Sequence, residues 1–151
     1  MSNNKWGPYT WILFHTLSHK LKDEYFQEEK DKLFDIIKSI CYNLPCPYCR
    51  EHAKGIISKV SIGSIKSKEE LKSFLFNFHN LVNNRLNKKA YNIEDLSKYN
   101  LANTYNVCQA FIKIYYLNSN NSRLLTDNFH RRKLINKFIE YYNTNKFKYN
   151  N

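Results

Sequence analysis

Leu44-Pro45-Cys46-Pro47-Tyr48-Cys49-Arg50-Glu51-His52 is the stretch that decides how this chain folds and which chemistry it can carry. Pro45 ends the helix before it, because the residue preceding a proline avoids helical backbone angles. Cys46 then takes an N-cap position, with Pro47 at the first position of the next helix. Two cysteines separated by two residues can form a disulfide, bind a metal or exchange electrons, so the rest of the chain decides among these uses.

Helical periodicity dominates on both sides of this stretch. Apolar residues at helical spacing predict four helices, over residues 9–22, 28–43, roughly 47–59, and 68–86, the last of them behind a capping box of Ser67 and Glu70. A short helical turn is predicted at 93–99. Only three glycines and three prolines occur in 151 residues, which disfavours an all-β protein. We therefore predict an all-α fold, a four-helix bundle with a short fifth helix and an added C-terminal helical extension.

The C-terminal extension is basic. Amphipathic helices are predicted at 103–117 and 128–142, joined by an asparagine-rich linker at 118–122, and residues 143–151 are predicted to fray. Residues 101–151 carry 8 basic and 2 acidic side chains, a net charge of +6, against +5 for residues 1–100. We interpret this charge as a solvated surface, because no recognisable nucleic-acid motif accompanies it. The prediction is a bundle at 1–100 and an extension at 101–151 that covers the bundle, extends a dimer interface or binds a partner.

The predicted compartment is the cytoplasm. Residues 1–5 lack the apolar core of a signal peptide, and no apolar run approaches the length of a membrane span. In that compartment a close cysteine pair is more often catalytic or metal-binding than structural. At a helix tip, unpaired backbone N–H groups and the helix dipole favour the thiolate form of Cys46. Cys49 lies one turn deeper, so Cys46 is predicted to be the exposed, exchanging sulfur.

Three uses of the pair compete. A thioredoxin or glutaredoxin site needs a strand before the motif and a downstream cis-proline, whereas a helix precedes it here and the prolines are Pro8, Pro45 and Pro47. A structural zinc site usually shows a second close ligand pair, but Cys41, His79 and Cys108 are scattered. In the third use, a labile disulfide passes electrons to a bound organic cofactor.

Two further clusters favour the third use. His79 and Asn83 are neighbours on one helical face, and Asn80 lies beside them. Such polar side chains next to a core face either point to water or hydrogen-bond a planar ligand. Trp11 and His15 form a similar cluster one turn apart on the first helix.

These residues together resemble the Erv/ALR family of FAD-linked sulfhydryl oxidases. The resemblance covers about residues 5–99, and the chain resembles the compact forms of large cytoplasmic DNA viruses. It rests on three motifs in register: Trp6-Gly7-Pro8 with Trp11 and His15, the Leu44 to Ala53 segment, and His79-Asn80-x-Val82-Asn83-x-x-Leu86-x-Lys88.

The resemblance implies a bundle that binds FAD, often as a homodimer. Cys46 would exchange with substrate and Cys49 would lie next to the flavin. The other residues it implies in or near the FAD site are Trp6, Gly7, Pro8, Trp11, His15, Tyr25, His52, His79, Asn80, Val82, Asn83, Leu86, Lys88 and Tyr91. No metal is implied.

The implied activity converts a protein dithiol and O₂ into a disulfide and hydrogen peroxide. The dithiol would belong to a partner such as a thioredoxin-like or small viral thiol protein, in a pathway of the host cytoplasm or virion that oxidises virion proteins. Nucleic acid is not required. The chain lacks the second cysteine pair of many cellular members, and Cys41 and Cys108 are predicted to be buried helix-face residues. The alternatives are a zinc-stabilised binding module and a basic nucleic-acid-associated module.

Overall fold

The computed structural model describes the backbone of residues 6–119 and 125–151 and the side chains of residues 6–117 and 128–151. Six α-helices follow one another in these ranges: α1 Trp6–Lys20, α2 Phe26–Cys41, α3 Pro47–Ile57, α4 Lys68–Arg85, α5 Thr104–Ser119 and α6 Leu125–Asn145. Four 3-10 segments lie between or after them: Asp23–Tyr25, Ile62–Ser64, Ile93–Leu101 and Lys146–Lys148. The predicted all-α fold is confirmed. None of the described helices is both long enough and apolar enough to cross a membrane.

Helix boundaries differ most from the predicted ones at α6, which spans Leu125–Asn145 against the predicted 128–142, and at α1. Helix α1 begins at Trp6, three residues before the predicted start. Pro8 is tolerated there, because the first N–H groups of a helix have no acceptor within the helix. Further along the chain, α5 runs through Ser119, so the first two residues of the predicted linker are helical. The remaining linker residues, 120–122, lie outside the described residues.

Helix α1 is the centre of the molecule. Each residue from Leu13 to Lys20 is buried. Helices α4 and α5 and the Ile93–Leu101 segment pack against α1, while α2 contacts α3 and α6. Two polar side chains on α1 are paired within this core, since Ser18 Oγ and His19 Nδ1 both lie within hydrogen-bond distance of the His15 carbonyl oxygen, at 2.9 and 2.8 Å. A helix surrounded in this way can present side chains to a site on any of its faces.

Helices α5 and α6 belong to the same hydrophobic core as the bundle. Phe111 is fully buried, with its ring 4.2 Å from that of Tyr115 and 5.4 Å from that of Phe138. Cys108 is also fully buried, and burial raises the pKa of its thiol to about 12. Burial raises the pKa of Cys41 as well. The prediction that both cysteines are buried helix-face residues is confirmed, and the extension covers the bundle.

The prediction that residues 143–151 fray is wrong. Helix α6 continues to Asn145, and the following residues run beside the end of α1. The Lys22 amide donates to the Lys148 carbonyl at 2.9 Å, and the Asn150 amide donates to the Lys20 carbonyl at 2.7 Å. Composition suggested fraying because the segment is rich in Asn and Lys, but tertiary hydrogen bonds fix its backbone.

A buried carboxylate anchors this C-terminal segment. Glu29 on α2 is fully buried. Lys148 Nζ donates to Glu29 Oε1 at 2.8 Å, and the Tyr141 hydroxyl donates to Glu29 Oε2, also at 2.8 Å. The Glu29 carboxylate raises the pKa of Lys148. One contact with α6 and one with the tail therefore satisfy a charge whose burial without partners would be costly.

Replacing Lys148 with methionine is expected to lower the free energy of unfolding by about 1–3 kcal/mol, because it removes one partner of a buried acceptor. Urea denaturation measures the change. Lys146→Met, at an exposed neighbouring lysine, is the matched control and is expected to change stability by less than about 0.5 kcal/mol. Equal effects of the two substitutions would show that the Glu29–Lys148 contact does not stabilise the tail.

Candidate functional site

A cavity of about 420 Å³ lies among α1, α3, α4 and the Ile93–Leu101 segment. Aromatic and aliphatic side chains form most of its wall. Its aromatic lining residues are Trp6, Trp11, Phe14, Tyr48, Phe78, Tyr91 and Tyr99. Its polar or charged lining residues include His52, His79, Asn83, Lys88 and Lys98. An apolar cavity of this size with a few polar groups is typical of sites that bind small organic molecules.

The cysteine pair opens α3 beside this cavity. Cys46 has extended backbone angles and is the N-cap, and its Sγ accepts a hydrogen bond from the Cys49 amide at 3.2 Å. The predicted N-cap is confirmed. Cys49 lines the cavity and Cys46 is absent from its lining residues, although both side chains are partly buried. The two sulfurs are not bonded to each other in this structure.

The surroundings of Cys49 change the acidity of its thiol. Burial is the main cause that raises the pKa of Cys49 to about 12, and its hydrogen bond with Cys46 acts in the same direction. The nearby Lys88 ammonium acts in the opposite direction. With both thiols free, Cys49 therefore keeps its proton at neutral pH.

Two histidines from α1 and α4 form a neutral pair behind the cavity wall. His15 Nε2 lies 3.0 Å from His79 Nδ1, and the Trp11 ring stacks on the His79 ring at 4.2 Å and 8°. Burial, followed by the charge of His79, lowers the pKa of His15 to about 3. Burial, followed by Lys88 and Lys98, lowers the pKa of His79 to about 4. Both rings are therefore uncharged at neutral pH.

The hydrogen bonds of the two rings show which nitrogen carries the proton in the His15–His79 contact. His15 Nδ1 is buried and has no hydrogen-bond partner among the described residues. A buried N–H without a partner is rarer than a buried acceptor without one, so the His15 proton belongs on Nε2 and is donated to His79 Nδ1. His79 then carries its own proton on Nε2. The residue that lines the cavity can therefore donate a hydrogen bond to a bound molecule.

The end of α4 is shaped to bring Lys88 and Tyr91 back to the cavity. Asn87 has a positive φ of 57°, the Asn87 amide donates to the Asn84 carbonyl at 3.2 Å, and the Lys88 amide donates to the Asn83 carbonyl at 2.8 Å. These are the two hydrogen bonds of a Schellman motif, which reverses the chain after a helix. The reversal places Lys88 among the residues that line the cavity.

Asn80 holds the returning segment in place. Its Oδ1 accepts from the Tyr91 amide at 2.6 Å, and its Nδ2 donates to the Tyr91 carbonyl at 3.1 Å. The Tyr91 ring stacks on His79 at 5.1 Å. Adjacent residues of α4 thus have different roles. His79 lines the cavity, whereas Asn80 positions the backbone of Tyr91, a second lining residue.

Helix α5 reaches the cavity wall through one hydrogen-bond chain. Thr10 Oγ1 donates to the Trp6 carbonyl at 2.7 Å, which uses its only proton. The fully buried Tyr115 hydroxyl lies 2.9 Å from Thr10 Oγ1 and is therefore the donor in that contact. Trp6 and Thr10 both line the cavity. The C-terminal extension consequently supports the start of α1 at the site.

Most residues that the sequence suggested for the site come together around this cavity. Its lining includes Trp6, Gly7, Pro8, Trp11, Cys49, His52, His79, Val82, Asn83, Leu86, Lys88 and Tyr91. His15 lies directly behind His79, and Asn80 behind Tyr91. Tyr25 lies elsewhere, because it precedes α2 and packs edge-on against Phe147 at 5.6 Å.

Several lining residues were missed by sequence reasoning, among them two with a charge or a polar ring. Lys98 and Tyr99 lie in the Ile93–Leu101 segment, which the sequence indicated only as a short helical turn. The Tyr99 ring stacks on His15 at 5.0 Å, and Lys98 Nζ lies 5.1 Å from the centre of the Tyr91 ring. The sequence does show a basic residue next to an aromatic one at Lys98 and Tyr99. Whether these two residues reach the cavity, however, depends on the chain reversal after α4.

The buried histidine pair predicts how stability depends on pH. Because folding lowers the pKa of His15 to about 3, the unfolded chain binds more protons than the folded chain below about pH 6.5. Stability therefore falls as pH falls through this range, and His15 alone contributes a loss of about 2 kcal/mol between pH 7 and pH 5. His15→Gln is expected to flatten the dependence measured by urea denaturation. His130→Gln, at an exposed histidine, is expected to leave the slope unchanged.

Within the described residues, no three His, Cys, Asp or Glu side chains come together as metal ligands.

Comparison with known proteins identifies the family. The model of the Erv1 / Alr family matches residues 8–105, which run from α1 to the first residues of α5. An FAD-linked sulfhydryl oxidase of African swine fever virus is 36% identical over 84 residues, covering 56% of this chain and 70% of that relative. The protein from a second isolate is 34% identical with the same coverage. The rice FAD-linked sulfhydryl oxidase ERV1 is 29% identical over 85 residues, covering 56% of this chain and 43% of the rice protein. No solved structure gave a significant match. With its family model matched over more than half of its length, the chain belongs to the Erv1/Alr family.

Proposed function

We propose that this protein is an FAD-dependent thiol oxidase that converts a protein dithiol and O₂ into a disulfide and hydrogen peroxide. The observation that carries the proposal is the position of Cys49, a redox-capable thiol in the wall of a cavity suited to a planar cofactor. Family membership and the activity named for the viral and plant relatives support the same activity.

The residues of the cavity fit FAD. Flat aromatic and aliphatic walls suit the isoalloxazine ring, and Asn83 and the His79 Nε2–H supply hydrogen-bonding groups for its polar edge. Lys88 and Lys98 line the same cavity and would pair with the two negative charges of the pyrophosphate. When bound, FAD accepts two electrons and passes them to O₂, which becomes hydrogen peroxide.

The chain's own residues perform the thiol chemistry in two exchanges. In the oxidised enzyme, a substrate thiolate attacks Cys46 Sγ, the Cys46–Cys49 bond breaks, and Cys49 leaves as the thiolate. The second substrate thiol then attacks the mixed disulfide, which releases oxidised substrate and leaves Cys46 reduced. Lys88 favours the Cys49 thiolate that must deliver the electron pair, against the effect of burial. The substrate loses two electrons and two protons in total.

A second part of the proposal concerns the substrate protein and the pathway in which it is oxidised. We propose that the substrate is a viral or thioredoxin-like dithiol protein and that the pathway acts on virion proteins in the host cytoplasm. A homodimer stays a prediction. A second copy would have to dock away from the face of α1 that α5 covers.

The proposal is tested with the purified full-length protein. It is expected to be yellow, to lose its flavin absorbance when dithiothreitol is added without oxygen, and to recover it in air with release of hydrogen peroxide. A colourless preparation that contains zinc would contradict the proposal and favour a zinc-stabilised module. A colourless, metal-free protein that binds DNA in a strongly salt-dependent way would favour the nucleic-acid alternative.

A further inference from the structure

A positive charge lies against Tyr48, one of the two residues between the cysteines. Tyr48 is 57% exposed, although it also borders the cavity. Arg85 Nε, at the end of α4, donates to the Tyr48 hydroxyl at 2.7 Å, and its guanidinium carbon lies 4.6 Å from the centre of the Tyr48 ring. The two contacts hold the guanidinium against a residue of the redox motif itself.

The acidic residue in α3, Glu51, does not cancel the charge of Arg85. Its Oε1 lies 3.7 Å from Lys54 Nζ, which offsets the charge of its carboxylate. Arg85 itself is exposed. A substrate that approaches the cysteine pair therefore meets the guanidinium of Arg85 beside Tyr48.

A substrate cannot avoid this field while it reacts. Its sulfur must come into bonding contact with Cys46 Sγ, and each neighbouring residue in an extended segment lies only about 3.3 Å further along. Residues one or two positions from the substrate cysteine thus fall within the screening length of about 8 Å at physiological salt. Charges on those residues change how fast the substrate associates with the site.

We infer that this oxidase selects dithiol segments with acidic side chains next to the reactive cysteines, docked on Tyr48 and the guanidinium of Arg85. The inference rests on the proposed thiol oxidase function and names its substrate class. The exposed Tyr48 ring gives the segment an apolar contact, and the Arg85 guanidinium complements its carboxylates. The same cation favours the thiolate of an approaching substrate thiol, which is the form that attacks.

Two synthetic peptides test the inference with the FAD-loaded full chain. Both contain Cys-Gly-Ala-Cys, flanked on each side by two glutamates in one and by two lysines in the other. Each kcat/KM is divided by that peptide's rate with a neutral small-molecule disulfide, which corrects for differences in thiol acidity. The acidic peptide is expected to be preferred by about tenfold at low salt, since each exposed pair contributes a factor of about 1.4 to 5. The preference is expected to shrink in 0.5 M salt.

Variants distinguish a local effect from overall charge. Arg85→Gln is expected to lower the acidic-to-basic preference about threefold, and Arg85→Lys is expected to keep most of it. Lys133→Gln removes one charge from an exposed position on α6 and is expected to leave the preference unchanged. Equal use of the two peptides, a preference insensitive to salt, or equal effects of Arg85→Gln and Lys133→Gln would each overturn the inference. Failure to oxidise dithiothreitol would instead count against the thiol oxidase function.

Discussion

Cys49→Ser is expected to lower the rate of dithiothreitol oxidation by roughly 10³-fold or more, the scale on which removal of an essential nucleophile acts. Cys49 is the cysteine of the pair that lines the cavity, so no other sulfur of the motif can take its place beside a bound flavin. Hydrogen peroxide release under air measures the loss, and bound flavin is measured by absorbance to separate lost chemistry from lost cofactor.

The two single variants of the pair are expected to differ in what they trap. In Cys49→Ser, Cys46 remains at the helix tip without a partner, so a mixed disulfide formed there with an added thiol compound persists. Cys46→Ser also lacks turnover but leaves only the sulfur whose pKa is raised to about 12, so it is expected to form far less adduct. Intact mass spectrometry measures both. Greater adduct formation by Cys46→Ser would reverse the roles assigned to the two cysteines.

Cys108→Ala is the matched control for these variants. Cys108 lies fully buried in the core on α5, and burial raises the pKa of its thiol. We expect turnover to be unchanged, because neither of these properties suits a thiol that relays electrons. Loss of turnover in a folded Cys108→Ala protein would point to a second redox step.

The sequence predicted the helices well where local signals agree with tertiary packing. Cys46 and Pro47 mark the start of α3, and Ser67 with Glu70 marks the start of α4, where Ser67 Oγ accepts from the Glu70 amide at 3.1 Å. Capping depends on neighbouring residues, so it is visible in sequence. The C-terminal tail shows the opposite case, because Lys148 is ordered by Glu29, 119 residues away. Composition alone contains no signal for that contact.

The site was predictable to a similar extent and for similar reasons. Motif spacing brought His79, Asn83 and Cys49 to one cavity. It did not separate the side chains that line the cavity from those that position a neighbour, such as Asn80, because that difference depends on the chain reversal at Asn87. Lys98 and Tyr99 reach the cavity only through the same reversal. Tertiary geometry, rather than residue type, decides these roles.

Phe111→Ala is expected to lower the free energy of unfolding by about 3–5 kcal/mol, the usual cost of removing a fully buried phenylalanine ring. This is a large fraction of the stability of an ordinary domain. The ring lies between Tyr115 on its own helix and Phe138 on α6, and the residues packed around it continue into the core of α1. Urea denaturation followed by circular dichroism measures the change. Phe129→Ala, at a ring that is 64% exposed on α6, is the matched control and is expected to cost less than about 0.5 kcal/mol.

The same variant tests whether residues 101–151 form a separate unit. We propose that they do not, because Tyr115 on α5 donates to Thr10 in the cavity wall and α5 packs directly on α1. Flavin release, followed by fluorescence, is then expected to coincide with the loss of helix in a single transition, and Phe111→Ala is expected to shift both by the same amount. An independent extension would unfold first in Phe111→Ala and leave the flavin bound, so separate transitions would show that the bundle holds its cofactor without α5 and α6.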